Sequence, residues 1–355
     1  MSRALRLGVL HGDGIGPEIV GAALEVARAA LAAAGALPVE WVTLPMGWEA
    51  IRRGDAPMPE ATRRALETCD GWVMGPHDSQ SYPPEHRRGR APSGELRRHF
   101  RLYANVRPAR TFTGLSGRSG PADLVVVREN TEEFYADRNV VRGSGEWMPA
   151  GDVAISVGVF TTDAAERVAR YACELARRRR RRLTIVHKAN VIRLGMGLWL
   201  EACRRVAAGY PDVTTTDVLA DAMAALLVRQ MADFDVVLTT NMVGDVLSSV
   251  AAELVGSLGL GASLNVGEGV AMAQAAHGAA PDLAGRDAAN PTGEILSVAM
   301  LLRWLGERHG DPALVVAAGR IEAAVERAFA AGARTRDLGG ALGTRAFTEA
   351  VLAGL

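Results

Sequence analysis

Along the chain, short apolar runs alternate with longer stretches whose apolar positions recur at helical spacing. The short runs predict strands at residues 5–10, 71–75, 123–128, 153–160 and 183–187. The longer ones predict helices at 17–34, 60–68, 163–179, 195–207, 293–307, 312–330 and 344–352. Residues 214–254, TTTDVLADAMAALLVRQMADFDVVLTTNMVGDVLSSVAAEL, read strand, helix, strand, helix. Such alternation is the mark of an α/β protein with parallel strands. Asp221 and Asp245 are expected at the two strand-to-helix turns of this stretch. Parallel sheets place ligands beyond the carboxyl ends of their strands, where two acids can hold a hard cation. Aspartate near a helix start is equally an ordinary cap or first-turn residue.

A length of 355 residues exceeds the size at which one core stops growing, roughly 250–300 residues, so more than one domain is expected. Lys plus Arg and Asp plus Glu balance at 40 each, which leaves no net field to draw in nucleic acid or an anionic membrane. The run Arg177–Arg182 is the one conspicuous basic block; it reads as a helix end entering a strand, where cations suit the negative end of the dipole. No apolar run approaches the roughly 18 residues of a membrane span. Cys69, Cys173 and Cys203 offer neither zinc spacing nor a disulfide frame, and no signal-peptide pattern opens the chain, so a reduced, cytoplasmic protein is expected.

The first strand is followed by HGDGIGPE, whose Gly12, Gly14 and Gly16 lack the third glycine of a dinucleotide fingerprint. A tight turn near some ligand is the reading that remains. The polar, proline-rich segment at 76–94 is long enough to be a binding loop. Ser93 can cap the helix after it. Arg97, Arg107 and Arg128 stand near element ends, where guanidinium groups can hold carboxylates through two hydrogen bonds. Residues 131–151 suggest an extended arm around Tyr135. Lys188 follows a strand end, where it can serve as a base or simply face water. Between His277 and Asn290, Gly and Pro exclude regular structure, and His277 and Asp282 can meet a base and a ribose diol.

Taken together and in order, GDGIGPEIV, YANVRP, VRENTEEFY, HKANV, DVVLTTNMVGDVLS and HGAAPDLAGRDAANPT resemble the β-decarboxylating dehydrogenases of 3-substituted malates. That family includes isocitrate, isopropylmalate, homoisocitrate and tartrate/D-malate dehydrogenases. The resemblance implies a two-domain, isopropylmalate dehydrogenase-like α/β fold that is not a Rossmann fold. Residues 1–103 and 256–355 would form the larger, cofactor-side domain. Residues 104–255 would form the smaller one, with a clasp arm that serves a homodimer. It implies that Arg97, Arg107 and Arg128, with Ser93, bind substrate, that Lys188 acts on the 2-hydroxyl and that Tyr135 protonates the enolate. Asp221 and Asp245 would bind Mg2+ or Mn2+, with Lys188 and Asp221 reaching across from the second chain. Asn190, His277, Gly278, Asp282 and Asn290 would contact the cofactor. NADP-using relatives carry Lys and Tyr where this chain has Asp282 and Leu283, so NAD is expected; an acid there would repel a 2′-phosphate.

The departures bear on substrate. Ser249 stands where the family has a further metal-binding Asp; it can donate an oxygen or hold a water. Gln274 stands where many relatives have Glu. The segment RAPSGE lacks the leucine pair of an isopropyl pocket and the Ser-x-Asn of typical isocitrate enzymes. Arg90 or Ser93 can meet a polar substituent, which favours an isocitrate-, homoisocitrate- or smaller malate-type substrate. Isopropylmalate dehydrogenase proper and tartrate/D-malate dehydrogenase remain alternatives. A non-catalytic regulatory subunit is the alternative of another class.

Overall fold

The computed structural model describes residues 4–87, 90–136 and 145–355. In chain order they form β1 (Arg6–Leu10), α1 (Gly16–Ala33), β2 (Glu40–Thr43), α2 (Trp48–Arg52), α3 (Glu60–Leu66), β3 (Gly71–Met74), α4 (Pro84–Arg87) and α5 (Pro92–His99). Next come β4 (Ala104–Arg110), β5 (Asp123–Glu129), β6 (Glu146–Ala150), β7 (Val153–Ser156), α6 (Thr162–Arg177), β8 (Arg182–His187), α7 (Gly195–Ala207), β9 (Thr214–Leu219) and α8 (Ala220–Gln230). The chain ends with β10 (Val236–Thr239), α9 (Asn241–Val255), β11 (Leu264–Val266), β12 (Ala271–Ala273), α10 (Thr292–His309), α11 (Pro312–Ala330) and α12 (Thr344–Ala353).

Two compact units emerge. One takes Met1–Leu96, Thr111–Ser116 and Gly256–Leu355; the other takes Arg97–Arg110 and Gly117–Val255. The first unit orders its strands β2-β1-β3-β12-β11, parallel except for the β11–β12 pair. Its central strand reads GWVM and is buried throughout, as expected where helices cover both faces. Leu7, Ile19, Trp72, Phe329 and Phe347 lie in its core. In the second unit the order is β4-β5-β10-β8-β9, with β4 antiparallel to β5 and the others parallel.

Several expectations change. The glycines of HGDGIG are demanded by the protein's own backbone. A Cβ on Gly14 would lie 2.0 Å from the Ala279 carbonyl oxygen, and one on Gly12 would lie 2.2 Å from that of Pro76. Asp13 and Ile15 donate their N–H groups to those same carbonyls. The loop at 76–94 contains α4 and is pinned by buried Asp13, which accepts from the Asp78 N–H and the Tyr82 hydroxyl. ANVRPAR forms the strand β4, while Asp245 is the fifth residue of α9 and lies beyond its strand-to-helix turn. Residues 137–144 of the expected clasp lie outside the described residues; after them β6 and β7 form an exposed antiparallel pair.

The arginine block is structural. Arg179 reaches Asp235 at 2.8 Å and Asp123 at 2.9 Å, and the Arg180 N–H donates to Asp235, whose side chain is fully buried. Arg177 pairs with Asp212 at 3.0 Å. Among the described residues, no helix is long and apolar enough to cross a membrane.

Candidate active site

Alternation along β4 places Asn105 and Arg107 on one face of the sheet, and Asn105 is paired in register with Arg128 of β5. Helix α9 packs on β4 and β5. It presents Asn241, Asp245 and Ser248 at i, i+4 and i+7, one helical stripe. The result is a buried polar cluster. Arg128 donates to Asp245 Oδ1 at 2.6 Å, and Arg107 donates to the same oxygen at 3.1 Å and to the Ser248 hydroxyl at 2.9 Å. Arg107 Nε also reaches Asn105 Oδ1 at 2.6 Å.

Burial, followed by the neighbouring Arg128 and Arg107 charges, pushes Arg97 down to about 9. Burial and Arg128 push Arg107 down to about 10. All three guanidinium groups stay charged at neutral pH, so they form a concentrated positive field that an anion with two carboxylates would relieve. Tyr135 is half exposed, and the Arg128 guanidinium lies 5.8 Å from its ring centre.

A second cluster forms where β8 and β9, parallel neighbours, end side by side. Lys188 follows β8, Asp221 opens α8, and the Lys188 ammonium pairs with Asp221 Oδ1. That hydrogen bond holds the exposed Asp221 carboxyl below its ordinary range. His187 supports the turn, for its Nδ1 accepts the Ala189 N–H at 3.1 Å while its Nε2 meets Asp217 at 3.3 Å. Asn190 is exposed at the end of this turn.

In the first unit, Ile15, Leu258, Gly259, His277, Gly278 and Asn290 help line a cleft of about 370 Å³. Desolvation lowers the His277 pKa, so the ring is neutral at pH 7, and among the described residues its buried Nε2 has no hydrogen-bond partner. Asn290 donates to Asp337 at 3.0 Å and accepts from the Thr292 N–H. Asp282 is exposed beside cleft-lining Leu283. Ser93 is buried, its hydroxyl 2.8 Å from His77 Nε2, and Arg90 is held by Glu95 at 3.7 Å.

The family model for isocitrate/isopropylmalate dehydrogenase matches residues 6–351. The chain belongs to this family. It is 42% identical to an isocitrate/homoisocitrate dehydrogenase of Thermus thermophilus over 353 residues, 99% of each chain. Over 344 residues it is 39% identical to a 3-isopropylmalate dehydrogenase of Archaeoglobus fulgidus, 97% of each chain. The crystal structure of an isocitrate dehydrogenase from Methylococcus capsulatus superposes with a TM-score of 0.86 at 37% identity, covering 99% of both chains. The protein is therefore an oxidoreductase, a decarboxylating dehydrogenase that acts on hydroxy acids.

The structure of this dehydrogenase adds residues that spacing did not reveal. Gly244 leaves room for Arg128: a Cβ there would stand 2.7 Å from Arg128 Cγ. Gly244→Ala is expected to push the guanidinium aside and raise the KM for the hydroxy acid about tenfold, an overpacking cost of roughly 1–3 kcal/mol, with the KM for the nicotinamide cofactor unchanged. Steady-state kinetics in both substrates check this. Asp337 joins the cleft, accepting from Ser257, Asn290 and Thr335.

Glu294, fully buried in the first turn of α10, accepts the Ala275 N–H at 2.6 Å. Burial pushes its carboxyl up to about 8. The folded protein then holds a proton that the unfolded chain releases near 4.5, so this group erodes stability as pH rises from there through 8. Wild type is expected to lose more thermal stability than Glu294→Gln between pH 5 and pH 9, by about 1.4 kcal/mol per unit of upward shift. Melting temperatures across that range read the difference.

Proposed function

We propose that this dehydrogenase carries out the NAD-dependent, divalent-metal-dependent oxidative decarboxylation of a 3-substituted (R)-malate of the isocitrate, homoisocitrate or isopropylmalate class. The products are a 2-keto acid, CO2 and NADH. The observation that carries the reading is the convergence of Arg97, Arg107 and Arg128 around Asp245, with Tyr135 against Arg128.

The donors fit a hard cation. Asp245 receives both arginine bonds on Oδ1, and its Oδ2 makes no hydrogen bond among the described residues. Asp221 is largely exposed. Mg2+ is commonly bound by one or two carboxylates, with water and substrate oxygens completing the shell. Among the described residues of one chain, no three His, Cys, Asp or Glu side chains gather as a metal site. Asp221 and Asp245 belong to separate clusters here, an arrangement suited to a homodimer in which Lys188 and Asp221 of one chain complete the arginine cluster of the other. The exposed Trp147, Met148, Val153 and Ile155 of β6 and β7 are the apolar surface such a dimer would cover. Ser249 donates its hydroxyl to the Asp245 carbonyl at 3.0 Å, so it adds no carboxylate. Weaker metal affinity than in relatives with an acid there is the expected consequence.

Mg2+ or Mn2+, when bound, would supply Lewis acidity that lowers the pKa of the 2-hydroxyl. Lys188, as the free amine, would take the hydroxyl proton, and NAD, when bound, would accept the hydride from C2. The arginines hold both carboxylates, fixing the bond to the C3 carboxyl for cleavage. After CO2 departs, Tyr135 delivers a proton to C3 of the enolate. For NAD, the cleft offers the His277 Nε2, unpartnered among the described residues, and the Gly278 backbone, with Asn290 in its wall, and Asp282 would meet a ribose diol. Asn190 would meet the nicotinamide end.

The test is NADH absorbance with Mn2+ and a panel of isocitrate, homoisocitrate, 3-isopropylmalate, D-malate and tartrate. Turnover of at least one acid with NAD, lost on chelation, is expected. Turnover that survives complete chelation contradicts the reading.

A further inference from the structure

Arg128 has five N–H donors in a planar fork, and their use within the chain is uneven. Nε and Nη2 both donate to Asn241 Oδ1, at 3.0 and 2.6 Å. Nη1 donates to Asp245 Oδ1. One hydrogen on each terminal nitrogen remains, and with Nε and Nη2 both turned to Asn241 the remaining hydrogen of Nη2 lies on the outer edge of the fork, the edge that grips a carboxylate. The Asn241 amide is itself fixed. Its Nδ2 donates to the Glu132 carbonyl at 3.0 Å, so Oδ1 must face the guanidinium. The reverse orientation would set N–H groups against N–H groups.

The same residue starts α9, the helix that carries Asp245. The Met242 N–H donates to Glu133 Oε2, and the Glu132 carboxylate accepts from the Thr161 N–H and hydroxyl. Glu133 is held at a φ of 68°, a conformation costly for a residue with a side chain. The segment from Arg128 to Tyr135 is thus clamped onto the start of α9, with Asn241 at the centre of the clamp.

We infer that Asn241 is a positioning residue: it orients the Arg128 guanidinium so that the outer edge of its fork is presented to a substrate carboxylate. It touches Arg128 and not the substrate. The inference deepens the reaction proposed above and rests on it for the identity of the ligand as a dicarboxylate.

Asn241→Ser is the variant of choice, because serine still suits a helix start but is too short to span to the guanidinium. Calorimetric titration with D-malate in the presence of Mn2+ reads carboxylate binding without turnover. The Kd is expected to rise about tenfold or more in Asn241→Ser and in Asn241→Ala, with the KM for NAD unchanged. In an Arg128→Met background, adding Asn241→Ser is expected to weaken binding less than about threefold, since the two side chains act as one unit. A merely structural asparagine would give equal losses in both backgrounds, and that result overturns the inference, as does an unchanged Kd in both single variants. Should the wild type turn over none of the acids while this binding pattern holds, the proposed reaction fails and the role of Asn241 stands.

Discussion

Replacing Lys188 by alanine is expected to lower kcat by about 10²- to 10⁴-fold, the usual worth of a positioned acid or base. The expectation rests on placement. Lys188 leaves the carboxyl end of β8 and is held by Asp221 in the first turn of α8, the helix that follows the neighbouring parallel strand, so its amine has a fixed position on the rim of the sheet. If it takes the 2-hydroxyl proton, its loss slows the chemical step and spares the arginines proposed to hold the acid. The Kd for D-malate should then change by less than about threefold while kcat collapses. The variant also removes the partner that keeps the Asp221 carboxyl below its ordinary range. Steady-state NADH formation beside calorimetric titration checks both halves.

Arg128→Lys is expected to lower kcat/KM by roughly 30- to 1,000-fold, from a loss of about 2–4 kcal/mol on altering the buried partner of a hydrogen-bonded charge pair. Charge is conserved in this change, so a point-charge account predicts a mild effect. The geometry predicts a severe one. Arg128 satisfies Asn241 and Asp245 from three different nitrogens. One ammonium on a flexible stem cannot do both and also present a fork to substrate. Asn241 Oδ1 would be left buried with a poorer donor, which adds a desolvation cost. The loss should fall on the hydroxy acid and leave the KM for NAD within about twofold. Comparing the two KM values in one series distinguishes it from general destabilisation.

Helical periodicity was enough to place α1, α7, α11 and α12 to within a residue or two of their observed ends, because each buries one stripe against its neighbours. β4 escaped that reading. Its sequence ANVRPAR carries asparagine and arginine at buried positions and a proline beside them, and only the pairing with β5 and the cover of α9 make those positions strand-like. β11 and β12 are three residues each among glycines, too short for a period to show. Asp245 lies one turn deeper than expected because α9 starts at Asn241, only Thr240 separating it from β10.

The proposed chemical roles came from the six family-like motifs and not from residue types alone. The structure brings Arg107, Arg128 and Asp245 together, and Lys188 with Asp221. His277, Gly278 and Asn290 line one cleft, while Asp282 and Asn190 are exposed. Ser93 is taken up by His77. Asn241, Gly244 and Asp337 went unnoticed because their work depends on contacts made across the fold: Asn241 with Arg128 is separated by 113 residues. No local pattern encodes such a partner.

In the proposed reaction, carboxylate, amine and guanidinium groups from two copies of the chain form one site. Mixing purified Lys188→Ala and Arg128→Met proteins under conditions that let subunits exchange tests it most directly. Each parent is expected to be nearly inactive. In a mixed dimer, one site regains both an intact lysine and an intact arginine, so activity should recover to about a quarter of the wild-type level at equal mixing. Exchange without any recovery of NADH formation would contradict the shared site.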